Sequence, residues 1–531
     1  MTMNLVQNLD QHQAHTPVLI SGGGLVGLVT GLFLQHQGVP FILIEQRESA
    51  SVLPRARGIH ARSMELFRQV GLEADLQAAA AAAWKVGSFG GARRGPSMLA
   101  SQPIAAFAAR PADNTIPSPS HFCACSQTII EEVLHRPLVA RGGDVRFGHR
   151  LDAFTQDADG VTATVVDTQG QTTYICADYL IAADGGRSLA RHALHIGSDR
   201  TPALQHYLNI FFRADLTDRM EGRTFSQCEV ENERVKGLMI SKDNATEWSF
   251  HLEYDPQTTD PSSFTPADLV GFVRAALGDP EQPVRIIATS TWSTLVRVAQ
   301  HYRDGHIFLV GDAAHVMPPW GGFNGNTGIA DAHNLSWKLA AVLTGHAADA
   351  LLDTYETKRR PVAARNGVQA RLRTDFEARF NLETPHNHEV FEQLEDINTL
   401  LMKYPYPDLM QDGTPSDRPA EHLTAQLGTR FPHAWLLRGE EKVSTLDLFG
   451  RAPVLLVGPT ASRAWTTAEA TKAQLVAWGD GAQVCQVGQE VAFADPDMSW
   501  EGLTQLPNDG AVLIRPDGFV QGRSDAALQP Q

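Results

Sequence analysis

Cysteine is scarce in this chain: five in 531 residues, Cys123, Cys125, Cys176, Cys228 and Cys485, with no CxxC pair and no Cys/His cluster at zinc spacing. That excludes a disulfide-stapled scaffold and a zinc module, predicts no metal site, and fits reduced thiols in a cytoplasmic protein. Cys123-Ala-Cys125 is the one spacing a redox role could use. No apolar stretch approaches the roughly 18 residues of a membrane-spanning helix, so no membrane partner is expected. Basic residues are outnumbered, 44 Lys and Arg against 60 Asp and Glu, and the net charge of −16 disfavours nucleic acid and anionic membranes. The first fifteen residues lack the basic start and apolar core of a secretion signal and are expected to form a disordered tail. Neither internal repeats nor low-complexity blocks occur. What remains is an ordinary globular composition, 43% hydrophobic and 20% charged, with length for about three domains.

The chemistry-bearing stretch runs from Thr16 to Arg47. The apolar run Thr16-Pro17-Val18-Leu19-Ile20-Ser21 delivers the backbone into Gly22-Gly23-Gly24-Leu25-Val26-Gly27, a GxGxxG turn. In that pattern Gly22 permits the tight turn, Gly24 lets the main chain approach a pyrophosphate, and Gly27 lets the following helix, Leu25 to His36, lie against the strand. A second strand, Val39 to Ile44, ends on Glu45, placed to accept from the hydroxyls of a ribose. Strand, turn, helix and acid together predict an adenine-dinucleotide site; the motif does not separate FAD from NAD(P).

Two more strand ends carry glycine and an acid. Tyr179-Leu180-Ile181-Ala182-Ala183 runs into Asp184-Gly185-Gly186-Arg187. His306-Ile307-Phe308-Leu309-Val310 runs into Gly311-Asp312-Ala313-Ala314-His315-Val316-Met317-Pro318-Pro319-Trp320-Gly321-Gly322-Phe323-Asn324-Gly325-Asn326. Ligands of open α/β sheets bind at such carboxyl ends. We read the segment through Asn326 as a loop and Asp331 to Leu343 as the helix after it, His315 as a structural hydrogen-bonding residue, and Lys358, Arg359 and Arg360 as a solvated helix face. Ser126 is expected to cap a helix. Residues 206–293 alternate polar and apolar as half-exposed strands, interrupted by one helix near Pro266 to Leu277, and read as a lid whose inner face holds substrate. The tail beyond 418 reads as a small βαβ module with a helix near Ala468 to Trp478 and a final hairpin.

The three glycine-bearing strand ends, with DGGRSLAR, GDAAHVMPPWGG, DAHNLSWKLA and LLDTYETKRRP, resemble the single-component FAD aromatic hydroxylases, the family of para-hydroxybenzoate hydroxylase. The tail pieces GTRFPHAWL, STLDLFG and DGAVLIRPDGFV resemble the thioredoxin-like domain of its polyketide and anthracycline branch. The resemblance implies an α/β fold: a Rossmann-like FAD-binding domain in three ββα layers (16–75, 105–190, 300–400), an inserted antiparallel substrate domain (76–104, 191–299), a linker (401–418) and a thioredoxin-like domain (419–531).

It also implies FAD, with NADPH or NADH and dioxygen as co-substrates, and transfer of OH from a flavin hydroperoxide to an electron-rich aromatic carbon of a small aromatic or polycyclic substrate, in a monomer or homodimer. Baeyer–Villiger or epoxidising chemistry on the same fold, and a non-catalytic flavin-fold binding protein, are the alternatives. Carried over by motif, Gly22, Gly24, Leu25, Val26, Gly27, Glu45 and Gln46 would hold the ADP half, and Arg55 and Gln127 would approach the cofactor. Asp184 and Gly185 form the DG element, Gly311 and Asp312 would meet the ribityl chain, and Pro319, Gly322, Gly325 and Asn326 would line the flavin ring. Where the family often reads GGQGxN, this chain has Gly321-Gly322-Phe323-Asn324-Gly325-Asn326. No phenol-activating base is assigned; His251, Tyr254 and His206 are candidates in the lid.

Overall fold

The computed structural model describes residues 13–49, 57–87, 90–105, 116–406, 423–461, 478 and 482–524. Arg55, most of the linker and the helix expected near 468–478 lie outside them.

The first sheet has eight strands. β1 (Gln13–Ser21), α1 (Leu25–His36) and β2 (Phe41–Glu45) form the opening unit, with β1 and β2 parallel in the register Ile20 to Leu43. Val18, Leu19 and Ile20 have no exposed surface, as befits a strand covered on both faces. α2 (Ala61–Gln69) follows, then α3 (Gln127–Ala140), which packs on α1 and leads into β3 (Asp144–Phe147) beside β2. Ser126 holds the N-cap position of α3 without making a side-chain cap, a correction to the sequence reading.

β4 (His149–Gln156) and β5 (Val161–Asp167) turn back antiparallel against β6 (Thr172–Ala182), the turn held by Asp167, which accepts from Gln169 and Gln171. β6 runs parallel to β1 on one side and to β7 (Ile307–Leu309) on the other. The carboxyl ends of β1, β6 and β7 therefore open at one edge, although 286 residues separate Ser21 from Ile307 by number. α4 (Phe323–Leu343) and α5 (Ala350–Leu372) close the layer behind.

Two expectations are overturned here. α4 begins at Phe323, not Asp331: Gly321 and Gly322 take left-handed φ of 80° and 70°, and Asn324, Gly325 and Asn326 form the first helical turn instead of a loop. Poor helix formers are held helical because the turn is fixed by side-chain bonds to other elements. Lys358 and Arg359 are 1% and 0% exposed, not solvated; Arg359 is drawn in by Asp331 on α4, which is itself buried.

The second sheet runs in the order 285–293, 206–213, 247–253, 236–241, 227–231, 92–95, 102–105. Its outer face, with Leu208, Ile210, Phe212, Trp248 and Phe250, is covered by the helix Pro266–Leu277, which matches the sequence reading and starts on a capping box at Thr265 and Asp268. Beyond 423, a four-stranded sheet runs 483–486, 454–457, 511–514, 520–523, one pair parallel and two antiparallel, the order of a thioredoxin-like half-sheet; a three-stranded sheet lies beside it.

Candidate active site

At the end of β1 the glycines do different work. A Cβ on Gly22, whose φ is 111°, would stand 2.2 Å from the carbonyl oxygen of Ala183, and one on Gly27 would stand 1.8 Å from that of Gly22. Packing alone demands both. A Cβ on Gly24 would meet only Glu131 Oε1, at 3.7 Å, so the turn leaves room there for something outside the chain. Glu45 is 4% exposed; its Oε2 accepts from Gly23 N–H at 2.7 Å and its Oε1 from Arg47 N–H at 2.9 Å. Gln46 beside it is exposed, Leu25 is buried and Val26 is half-buried.

One residue of this turn escaped the sequence reading. Glu131, on α3, accepts at Oε1 from Leu25 N–H at 3.0 Å and from Gln127 Nε2 at 2.7 Å, so a carboxylate sits at the positive end of α1. The available signal was its spacing: Glu131 lies one helical turn after Gln127 on the same face.

At the end of β6, Asp184 Oδ2 accepts from Ala190 N–H at 3.1 Å, while Oδ1 is buried with no hydrogen-bond partner among the described residues. Burial raises its pKa above the usual carboxylate range, against the Ser188 side chain and the backbone N–H groups that lower it. Gly185, with φ 80°, has open space where a side chain would be. At the end of β7, Gly311 takes φ 57° and packs on Val26, bringing the first and third glycine turns into contact. Asp312 Oδ1 accepts from Asn324 Nδ2 at 2.7 Å. Asn326 Nδ2 donates to Gly322 O at 2.7 Å and its Oδ1 accepts from His60 N–H at 2.9 Å, while the His60 ring bonds Gly321 O at 2.9 Å. The segment after Pro319, itself exposed, is thus pinned from both sides, and His60 is a second residue that sequence reasoning missed.

The second sheet's inner face meets this loop. Its side chains alternate with those of the helix-covered face, so Tyr207, Asn209, Leu238, Ser249, His251 and Trp292 look towards Trp320, Phe376 and Phe380. The same alternation sends His206 and Tyr254 to the other face, where Tyr254 joins the core under the helix and their rings face each other at 6.1 Å. Neither reaches the chamber, which corrects their place among the base candidates. His251 does reach it, but Trp292 Nε1 donates to its Nδ1 at 2.9 Å. Burial, followed by the charges of Arg57 and Arg379, lowers its pKa to about 3, so it stays neutral and offers an Nε2–H donor rather than a base.

Three polar atoms in this chamber are buried without a hydrogen-bond partner among the described residues: Asn209 Oδ1, Ser249 Oγ and Trp320 Nε1. Tyr207 and Trp292 stack at 4.7 Å, and the Arg379 guanidinium lies 3.4 Å from the centroid of Trp320. Cys123 and Cys125 are buried, and burial raises their thiols to about 12 and about 11, which leaves them protonated and inert.

Three parallel strands ending in glycine turns at one edge, with the aromatic inner face of the second sheet meeting the loop after the third, define the class. The model of the FAD binding domain family matches residues 15–370 and that of the aromatic-ring hydroxylase C-terminal family matches 424–530, so the chain belongs to the FAD-dependent aromatic-ring hydroxylases. It is 38% identical over 547 residues to the tetracenomycin A2 monooxygenase-dioxygenase of Streptomyces glaucescens, covering 96% of this chain and 93% of that one. It is 35% identical to the 4-methyl-5-nitrocatechol 5-monooxygenase of a Burkholderia species, covering 97% and 95%. Among solved structures, aklavinone-11 hydroxylase in complex with FAD and aklavinone superposes with a TM-score of 0.84 at 33% identity, covering 97% and 96%. The protein is a flavoprotein monooxygenase whose cofactor is FAD and whose co-substrates are NAD(P)H and dioxygen. Among the described residues no helix is long and apolar enough to cross a membrane.

Proposed function

We propose that the substrate is a flat, polycyclic, oxygen-bearing aromatic of polyketide type, hydroxylated on an aromatic carbon in the chamber between the second sheet and the Trp320 loop. The observation that carries this reading is the set of three orphaned polar atoms, one acceptor (Asn209), one donor (Trp320) and one hydroxyl (Ser249), among stacked aromatic side chains. Leaving three such groups buried and unpaired costs about 1–3 kcal/mol each, a cost that ring oxygens of a substrate would remove. Simple hydrocarbons would not.

FAD fits the residues present: the space beside Gly24, the Oδ1 of Asp184 that no described residue hydrogen-bonds and the open side of Gly185 stand at the carboxyl ends of the adjacent strands β1 and β6. In this reading Gly22, Gly24, Leu25, Val26, Gly27, Glu45, Gln46 and Arg55 hold the ADP half. Gln127, Asp184, Gly185, Gly311 and Asp312 follow the pyrophosphate and ribityl chain, and Pro319, Gly322, Gly325 and Asn326 back the ring system. Bound there, FAD supplies the transfer of reducing equivalents from NAD(P)H to dioxygen. The chain's own part is to bind, orient and keep water out: His60 and Asn326 hold the loop, the aromatic residues exclude solvent, and His251 Nε2–H donates to a substrate oxygen.

The test is turnover of a panel of phenols, hydroxyanthraquinones and naphthacenequinones with NADPH and NADH under labelled dioxygen. One labelled oxygen on a ring carbon of an oxygenated polycycle supports the proposal. Oxygen inserted between ring carbons, or coupled turnover only with simple phenols, contradicts it.

A further inference from the structure

Asp312 does not stand alone. Behind it lies an unbroken series of side-chain bonds: Asn324 Nδ2 to Asp312 Oδ1 at 2.7 Å, Asn324 Oδ1 to His315 Nδ1 at 3.1 Å, His315 Nε2 to Asp331 Oδ2 at 2.8 Å, and Arg359 Nε to Asp331 Oδ1 at 2.7 Å. His315, Asp331 and Arg359 have no exposed surface.

The hydrogens in this series can be placed by accounting. Burial opposes ionisation of Asp331, but the charges and bonds of Arg359 and His315 outweigh it and hold the carboxyl below its usual range, so it only accepts. His315 Nε2 must then carry a hydrogen. Asn324 presents its NH2 to the Asp312 carboxylate, since the carbonyl oxygen there would set acceptor against acceptor, and this turns Oδ1 to His315. Both ring nitrogens of His315 are thus committed within the series, which joins the buried Arg359–Asp331 ion pair through the His315 ring and the Asn324 amide to Asp312.

We propose that Asn324, His315 and Asp331 are positioning residues that fix the rotamer of Asp312, so that its Oδ2, which no described residue hydrogen-bonds, is presented to the ribityl hydroxyls of FAD. The inference rests on the placement of FAD given above. It also explains why the first turn of α4 carries Asn324: a side chain there must bond the His315 ring on one side and donate to Asp312 on the other, which among polar side chains of this length the amide does.

The experiment is titration of FAD into full-length apoprotein, read by quenching of flavin fluorescence, with the melting temperature of each apoprotein measured alongside. Asp312→Asn is expected to weaken FAD binding at least tenfold. Asn324→Ala, at a half-buried position, is expected to weaken it about tenfold, equivalent to about 1.4 kcal/mol, with the apoprotein still melting cooperatively, though somewhat earlier because His315 Nδ1 loses its partner. The double variant should bind no more weakly than Asp312→Asn, because the second residue acts through the first. Asn324→Asp, which sets a carboxylate against Asp312, should bind FAD more weakly than Asn324→Ala. If Asp312→Asn binds FAD as the wild type does, the placement of FAD is wrong. If Asp312→Asn is weakened while Asn324→Ala is not, or if the two losses add in the double variant, or if Asn324→Asp restores binding, the placement stands and the relay is refuted.

Discussion

At the residue scale, the chamber shows how burial selects a role. A histidine in a hydroxylase invites assignment as the base that ionises a phenol. His251 has its Nδ1 occupied by Trp292 and a pKa lowered to about 3, first by burial and then by two nearby guanidiniums. A base must be near its own pKa at the working pH to be effective. Replacing His251 with Gln, which retains a donor, should therefore leave the shape of the kcat/KM pH profile between about pH 5.5 and 8.5 unchanged while lowering its height by severalfold. Loss of a limb near pH 6 to 7 in the variant would instead identify His251 as the titrating group. Asn209 belongs to the same argument: Asn209→Leu should raise KM for an oxygenated polycycle at least tenfold with a smaller change in kcat, measured by steady-state NAD(P)H oxidation, because binding a substrate oxygen is what its free Oδ1 can do.

At the element scale, the glycine turn separates what the fold needs from what a ligand needs. Gly27→Ala would bring a methyl group to 1.8 Å from Gly22 O, and the turn cannot form; the protein should be insoluble or lose several kcal/mol. Gly24→Ala meets nothing closer than 3.7 Å, so the apoprotein should melt as the wild type does while FAD affinity falls more than tenfold. Thermal shift without cofactor and fluorescence titration with it check the pair; equal apoprotein damage in both variants would make Gly24 a packing residue.

The same turn shows why the sequence was legible where it was. β1, α1 and Glu45 fall within residues 13–45, and each of the signals is local: period, glycine spacing, an acid at a strand end. The start of α4 was not, because Asn324-Gly325-Asn326 has the intrinsic preferences of a turn and becomes helical only through bonds to Asp312, His315, Gly322 and His60. The burial of Arg359 is illegible for the same reason: a Lys-Arg-Arg run looks solvated until Asp331, 28 residues earlier, is found buried against its middle residue. Glu131 went unremarked because nothing local ties an acid in mid-helix to the N–H of Leu25, 106 residues away.

At the scale of the whole molecule, buried charge joins the carboxyl-terminal module to the rest. Glu65 on α2 is 2% exposed and accepts from Arg62 Nη1 at 3.0 Å, from Arg430 Nε at 2.9 Å and from Ser118 Oγ at 2.7 Å. Burial disfavours its charge, but Arg430 and Arg62 more than offset this and lower its pKa. Glu65→Gln would leave two guanidiniums buried without their anion, a loss of about 3–5 kcal/mol. The denaturant midpoint of the full-length protein should fall accordingly; an unchanged midpoint would mean that this junction contributes little.

Histidines set the acid limit of the fold. Burial lowers His251 and His333 to about 3 and His36 and His433 to about 4, from an ordinary value near 6.5. Their folded forms are neutral while the unfolded chain takes up protons near pH 6.5, so the unfolded state binds more protons between about pH 6.5 and 4 and stability falls as pH falls. Asp184 and Glu253 act in the opposite sense, since burial raises both and the folded state then holds the extra protons, but they are two groups against four. Glu65, Asp331 and Asp517 are lowered, so their contribution is lost only below the ordinary carboxylate range near pH 4. Within the window each histidine adds a slope of about 1.4 kcal/mol per pH unit. His333, 8% exposed, bonds Gln69 Oε1 through Nε2 at 2.9 Å and packs edge-on against Phe33 at 4.9 Å, so a glutamine can keep the donor and remove the titration. Urea midpoints of His333→Gln should lie below the wild type at pH 7.5 and converge with it by about pH 5; parallel curves across that range would show that the imidazole does not stay neutral in the fold.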